Sequence, residues 1–257
     1  MPRPVENREW ICGRQPVREL LLAGRRRVFS MQVVTTVRPT PEIDECLALA
    51  QRKGVRIDRV PPSEFRIPDG DAHHQGLAVE AAPYPYTPWD ELLLQLRRSA
   101  TPPFILALDH IQDPQNLGSL LRTANALGVH GVLIPVDRAS GVTPAAVRAS
   151  AGAAEHMVVA QVVNLVRSME ALKKEELWFT GLEKWEGSKP LHTMDFKGPV
   201  GLVVGSEGYG LGRLVRETCD FLAEIPMQGQ VGSLNAGVAG AIAMYEIQRQ
   251  RCGQSSA

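Results

Sequence analysis

Phe104-Ile105-Leu106-Ala107-Leu108-Asp109-His110-Ile111-Gln112-Asp113-Pro114-Gln115-Asn116-Leu117-Gly118-Ser119-Leu120-Leu121-Arg122-Thr123-Ala124 decides how this chain is read. Phe104–Asp109 is a nearly continuous apolar run, the mark of a strand covered on both faces. After a polar turn, Leu117, Leu120, Leu121, Ala124 and Leu127 fall on one face of a helix. The same unit recurs downstream. Val132–Pro135 is the next buried strand, and strands are expected at Met157–Val163, Trp178–Glu183, Val200–Gly205 and Phe221–Pro226. Helices are expected near Leu165–Glu176 and Leu211–Cys219, and a last one carries Val238, Ile242 and Tyr245 on one face. Strands and helices alternating at this length imply an α/β fold with a mostly parallel sheet covered by helices.

Upstream, the pattern is a smaller α/β unit. Val17, Leu20 and Leu21 sit at helical spacing behind Pro16, with Gly24 to close the helix. Val28–Val34 is β-prone. A second helix starts at Thr40-Pro41, carries Ile43, Cys46, Leu47 and Ala50 on one face, and ends at Gly54. Short strands follow near Val55–Val60 and Gly76–Ala81. Pro83-Tyr84-Pro85-Tyr86-Thr87-Pro88 cannot continue a sheet interior. The expected organisation is therefore a small domain over 1–82, a linker over 83–100 containing a connecting helix at Trp89–Arg98, and a larger domain over 101–257.

At 257 residues the chain suits one large or two modest domains, given about 150 residues per domain. Its 44% apolar and 22% charged composition is that of a globular protein and excludes wholesale disorder. No apolar run reaches the ~18 residues of a membrane span, and Met1–Trp10 lacks a signal-peptide core, so no membrane partner is expected. Cys12, Cys46, Cys219 and Cys252 are too dispersed for a zinc knuckle or a paired-cysteine motif, which points to a reducing, cytoplasmic setting. His73 and His74 are adjacent but have no partner at metal-ligand spacing, so no metal is expected. Lys+Arg and Asp+Glu balance at 28 each, so no global field draws the chain to nucleic acid. Residues 1–30, however, hold seven Arg against three Glu. Within that cluster, Arg14, Arg25, Arg26 and Arg27 are candidate phosphate contacts, beside the plainer reading of a solvated helix face and turn.

Ligands of parallel sheets bind beyond the carboxyl ends of the strands, and three segments fit that position. In the opening segment, Asn116 alone would serve as a helix N-cap. Arg122 follows six residues later, nearly two turns on, so both side chains can face one side. The next is Val203-Val204-Gly205-Ser206-Glu207-Gly208-Tyr209-Gly210-Leu211-Gly212, with four glycines directly after a strand. They require a sharp turn or a close approach to a ligand. Their spacing is not the dinucleotide GxGxxG, no GxxxxGK[ST] occurs, and Glu207 would repel a pyrophosphate. The last is Ile225-Pro226-Met227-Gln228-Gly229-Gln230-Val231-Gly232-Ser233-Leu234-Asn235-Ala236, where Ser233 and Asn235 are both cap residues although one suffices.

Together, in this order and spacing, these segments resemble the three motifs of the SpoU-type RNA ribose 2′-O-methyltransferases of the SPOUT superfamily. Gly13-Arg14-Gln15-Pro16-Val17 and His74-Gln75-Gly76 are similar to the start and end of the family's N-terminal RNA-binding domain. The resemblance covers essentially the whole chain and is strongest toward bacterial enzymes that methylate guanosine ribose in large-subunit ribosomal RNA. It implies an L30e-like N-terminal domain that binds the RNA substrate, a trefoil-knotted catalytic domain, a homodimer, and S-adenosylmethionine as methyl donor. Residue by residue, it implies catalytic roles for Asn116, Arg122, Glu207, Ser233 and Asn235. Gly205, Ile225 and Leu234 would hold the donor's adenosine. One departure stands out: Gly237 replaces the usual serine of the third motif.

The implied reaction is in-line attack of a ribose 2′-hydroxyl on a sulfonium methyl, which needs alignment and loss of a proton. A guanidinium stays protonated. The role we expect for Arg122 is therefore to grip a phosphate or the 2′-oxygen and stabilise negative charge, with Glu207 orienting Arg122 or Asn116. A transfer-RNA substrate and a non-catalytic RNA-binding assembly factor are the competing readings; decay at Arg122, Glu207 or Asn235 would mark the latter, and all three are present.

Overall fold

A computed structural model of the chain describes residues 7–65 and 74–252. Arg3 and His73 lie outside the described residues. Two compact units make up the chain. One runs to Pro85 and also takes in Val142–His156; the other comprises Tyr86–Gly141 and the chain from Met157 onward.

In the first unit, β1 (Glu9–Cys12), α1 (Arg14–Ala23), β2 (Val28–Val34), α2 (Pro41–Arg52), β3 (Arg56–Val60) and β4 (Leu77–Ala81) follow in order. The sheet runs β1-β4-β2-β3, with β4 antiparallel to both neighbours and β2 parallel to β3. Gly24 closes α1 in the left-handed conformation with its N–H on the Leu20 carbonyl, a geometry that favours glycine. The two ends of this unit that the sequence singled out meet each other. Gly13 N donates to Leu77 O at 3.1 Å, and Arg14 N donates to Gln75 Oε1 at 3.0 Å.

The second unit opens with α3 (Trp89–Arg97), β5 (Phe104–Asp109), α4 (Pro114–Ala126) and β6 (Gly131–Pro135). The chain then contributes α5 (Pro144–Ala149) to the first unit, where Tyr84 donates its hydroxyl to Ala154 O at 3.0 Å. It resumes with β7 (Val159–Val162), α6 (Leu165–Lys173), β8 (Trp178–Leu182), β9 (Lys189–Pro190), β10 (Val200–Gly205), α7 (Arg213–Thr218), β11 (Phe221–Glu224) and α8 (Ala236–Cys252). The seven strands are ordered β7-β6-β5-β10-β8-β11-β9 and every pairing is parallel. On one side of this sheet Leu92, Ile105, Leu133, Met169, Leu172 and Phe179 share a buried core. On the other, α8 packs closely against α4 and β10: a Cβ on Gly240 would stand 2.4 Å from Leu120 Cδ2 and 3.5 Å from Val204 Cγ2.

The apolar stripe expected on the last helix turns out to face outward. Val238, Ile242 and Tyr245 are exposed, whereas the small residues Ala236, Gly240 and Ala243 are the buried face. Close packing within the chain requires small side chains there. Among the described residues, no helix is long and apolar enough to cross a membrane, and no group of three or more His, Cys, Asp or Glu side chains is placed to hold a metal ion.

Candidate active site

Parallel alignment puts the carboxyl ends of β5, β10 and β8 at one edge of the sheet, and the three sequence segments converge there. Asp113 caps α4 by accepting from Gln115 N at 2.9 Å, with Pro114 at the first turn. The local reading had Asn116 as a cap; it is instead free for tertiary contacts. Its Nδ2 donates to Glu207 Oε1 at 2.8 Å, while its Oδ1 accepts from Asn235 Nδ2 at 2.8 Å. Asn235 Nδ2 also lies within hydrogen-bond reach of Glu207 Oε1, which further accepts from Ala236 N at 3.2 Å. Asn235 Oδ1 caps α8 through Val238 N at 3.1 Å. Ser233 is the spare member of that pair and remains exposed.

The carboxylate sits where it does because the chain turns tightly after β10. Ser206 and Gly210 pair as an isolated antiparallel bridge, with Glu207, Gly208 and Tyr209 at the tip. Gly208 and Gly210 take φ of 86° and 65°, and a Cβ on Gly205 would stand 2.3 Å from Gly210 O, so glycine is required there. The far end of the loop is pinned twice. Asp109, buried at the end of β5, accepts from Gly212 N at 2.7 Å and also holds His110 Nδ1. Glu183 accepts from Leu211 N at 3.1 Å and pairs with Arg216, whose Nη2 donates to Leu211 O at 2.9 Å.

A cavity of about 470 Å³ opens on one side of the loop. Gly205, Glu207, Ile225, Ser233, Leu234 and Asn235 all line it. A second cavity of about 480 Å³ lies on the loop's other side, lined by His110, Asn116, Glu207 and Tyr209 among others. Ser206, Glu207 and Gly210 belong to both walls. Each volume is within the ordinary range of small-molecule sites, roughly 300–1,000 Å³. Arg122 is exposed on α4, lines neither cavity, and has no hydrogen-bond or ion-pair partner among the described residues. Glu207 therefore orients Asn116 and Asn235 here, not Arg122. Glu183, His110 and Tyr209 escaped the sequence reading. The signal for Glu183 was available, since it ends a predicted strand at the same sheet edge.

In the first unit the arginine cluster divides. The expectation that Arg26 meets phosphate is corrected: its side chain is 0% exposed and its guanidinium pairs with Glu155 at 2.9 Å and Glu9 at 2.8 Å. Arg25 lies at the surface but donates to Glu155 O at 3.2 Å and Pro85 O at 3.0 Å. Arg14 is half-buried with Nη1 3.5 Å from Thr40 Oγ1, and Arg27 lies over the Phe29 ring at 4.9 Å.

The architecture is that of the SPOUT α/β methyltransferases. It superposes on the SpoU methyltransferase AviRb of Streptomyces viridochromogenes, crystallised with AdoMet, with a TM-score of 0.78 at 23% identity over 96% of this chain and 91% of that one. A crystal structure of an RNA 2′-O ribose methyltransferase matches at a TM-score of 0.77 with 25% identity over 96% of this chain and 90% of that one. The chain belongs to the SpoU rRNA methylase family, whose profile matches residues 103–245; residues 10–87 match the RNA 2′-O ribose methyltransferase substrate-binding domain. A protein assigned to the TrmH family of tRNA/rRNA methyltransferases, YacO of Bacillus subtilis, is 39% identical over 96% of this chain and 97% of its own length. A similarly assigned Staphylococcus saprophyticus protein is 41% identical over 94% and 95% of the two chains.

Proposed function

We propose that this chain transfers a methyl group from S-adenosylmethionine to a ribose 2′-hydroxyl in RNA, the target being a guanosine of large-subunit ribosomal RNA. The observation that carries the reading is the shared wall: Glu207 lines both cavities and is hydrogen-bonded to Asn116 and Asn235 of the other two motifs. The residues of the cavity lined by Gly205, Ile225 and Leu234 fit the donor, the last two adding apolar surface for an adenine ring. When bound, the donor would supply a sulfonium methyl: the O–CH3 bond forms as the S–CH3 bond breaks, the neutral thioether leaves, and the 2′-hydroxyl proton passes to solvent.

The chain's own part is alignment. Asn116 and Asn235, fixed through Glu207, hold the boundary between donor and ribose, and Ser233 offers a hydroxyl at the rim. Arg122 supports the reaction by gripping a phosphate or the 2′-oxygen of bound RNA. Arg27, exposed, and Arg14, half-buried, are the arginines of the N-terminal cluster assigned to RNA. The knotted return of the chain, a cytoplasmic setting and a homodimer complete the proposal. Val238, Ile242 and Tyr245, exposed on one face of α8, are the surface assigned to the second copy.

Mapping ribose methylation in total RNA with and without the gene tests the reading. Loss of one methylated guanosine in large-subunit ribosomal RNA is the expected result. Loss in transfer RNA alone would transfer the assignment to that substrate, which the names of the relatives also cover. No loss anywhere would contradict it.

A further inference from the structure

Tyr209 is 91% exposed and borders the cavity that Asn116 also lines. Its ring and hydroxyl have no partner among the described residues. The loop that presents it is held in place. Gly210 N donates to Ser206 O at 3.0 Å, Glu207 is tied to Asn116 and Asn235, and the exit is pinned by Asp109 and Glu183. A rigid turn thus carries a large aromatic side chain into water next to Asn116, one residue beyond the glycine that follows Glu207. An unpaired ring at such a place has apolar faces to bury and a polar tip that stays wet.

We propose that Tyr209 is the platform on which the nucleobase of the target nucleotide stacks, so that its ribose lies over the Asn116–Glu207 wall. This rests on the RNA-methyltransferase reading and adds a positioning residue to it. Single-stranded bases are commonly recognised by stacking on aromatic side chains, and such contacts tolerate any base because each presents a π face. The tethered loop fixes the backbone that presents the ring, so only the side chain itself has to be ordered when RNA arrives. Selection of the base would then come from groups around its edge, with His110, which lines the same cavity and is held by Asp109, one candidate.

The test uses the full-length protein, labelled S-adenosylmethionine, and unmodified ribosomal plus transfer RNA from cells lacking the gene. Tyr209→Ala should raise KM for RNA about tenfold or more, the scale of one lost stacking contact. Donor affinity should stay unchanged, and kcat should fall less than KM rises. Tyr209→Phe should restore KM to within about twofold, because stacking needs the ring and not the hydroxyl. An unchanged KM in Tyr209→Ala overturns the proposal, as does a Phe variant as impaired as the Ala one. Weakened association between copies without a change in KM would also overturn it. If the wild-type protein methylates no RNA at all, the underlying functional reading fails instead, and the two failures are told apart by that control.

Discussion

Two polar networks, each built around a glutamate, sit in the two units of this molecule and behave in opposite ways. In the first unit Glu155 faces Arg26 across 129 residues of sequence, both side chains at or below 1% exposure, with Glu9 on the guanidinium's other side. In the second, Glu207 collects Asn116, Asn235 and the backbone of Ala236 while remaining exposed on the wall of two cavities. A carboxylate sealed away with its counter-ion is committed to one partner, and removing either member strands a charge in low dielectric. A carboxylate held by neutral amides at a cavity mouth keeps the protein's shape locally and leaves its face toward a ligand. Burial, more than residue type, separates the two networks, and it is the open one that the proposed function uses.

The sharpest way to break this comparison is Arg26→Ala. It should lower the unfolding free energy by about 3–5 kcal/mol, as expected for a buried charge left unpaired, in denaturant titration. A loss below ~1 kcal/mol would mean that water reaches Glu155 and that the two networks are alike. Next is Arg122→Ala, which should cut single-turnover methylation about 10²–10³-fold, the cost of removing one stabilising donor. Its melting temperature should stay put because the side chain is exposed. Near-normal turnover would remove Arg122 from the reaction. Glu207→Gln keeps the shape but presents an amide to two other amides; about a 100-fold loss of turnover is expected, with stability changed by no more than ~0.5 kcal/mol. Large destabilisation instead would place Glu207 with Glu155 as a structural group.

The smallest effect concerns an ion pair on α8 whose members, Glu246 and Arg249, line neither cavity. Hydrogen bonds from Arg249 and then Gln250 hold the Glu246 carboxyl down to about 2, against an opposing desolvation. A carboxyl lowered on folding stabilises above its ordinary value and loses that contribution as pH falls toward the lowered one. Urea midpoints should therefore drop between pH 5 and pH 2 less steeply in Glu246→Gln than in the wild type. Equal slopes would show that the pair contributes nothing in solution.

Local pattern made the strands and helices of the second unit legible, because buried parallel strands are continuous apolar runs and their helices keep a 3.6 period. The order of the strands was not legible: that β10 lies beside β5, with β8 next, depends on long crossovers. Helix α5 and strand β1 were missed since each is short and is covered by residues distant in sequence. Arg26 was misread for the same reason: a cluster of arginines looks solvated until Glu155 arrives from another part of the chain. The three strand–turn–helix segments were legible as places to look, but Asn116, Glu207, Ser233 and Asn235 were marked out together only by the family resemblance. Tyr209 was hidden, since no local signal tells a ring at the surface from a ring at a cavity.

Everything rests on a methyl donor and a ribose meeting across the Glu207 wall. A crystal soaked in S-adenosylmethionine tests that most directly. Density for its adenosine against Gly205, Ile225 and Leu234, with the sulfonium end toward Glu207 and Asn235, is the expected result. A donor bound elsewhere on the chain, or a cleft that stays empty at saturating donor, would contradict it.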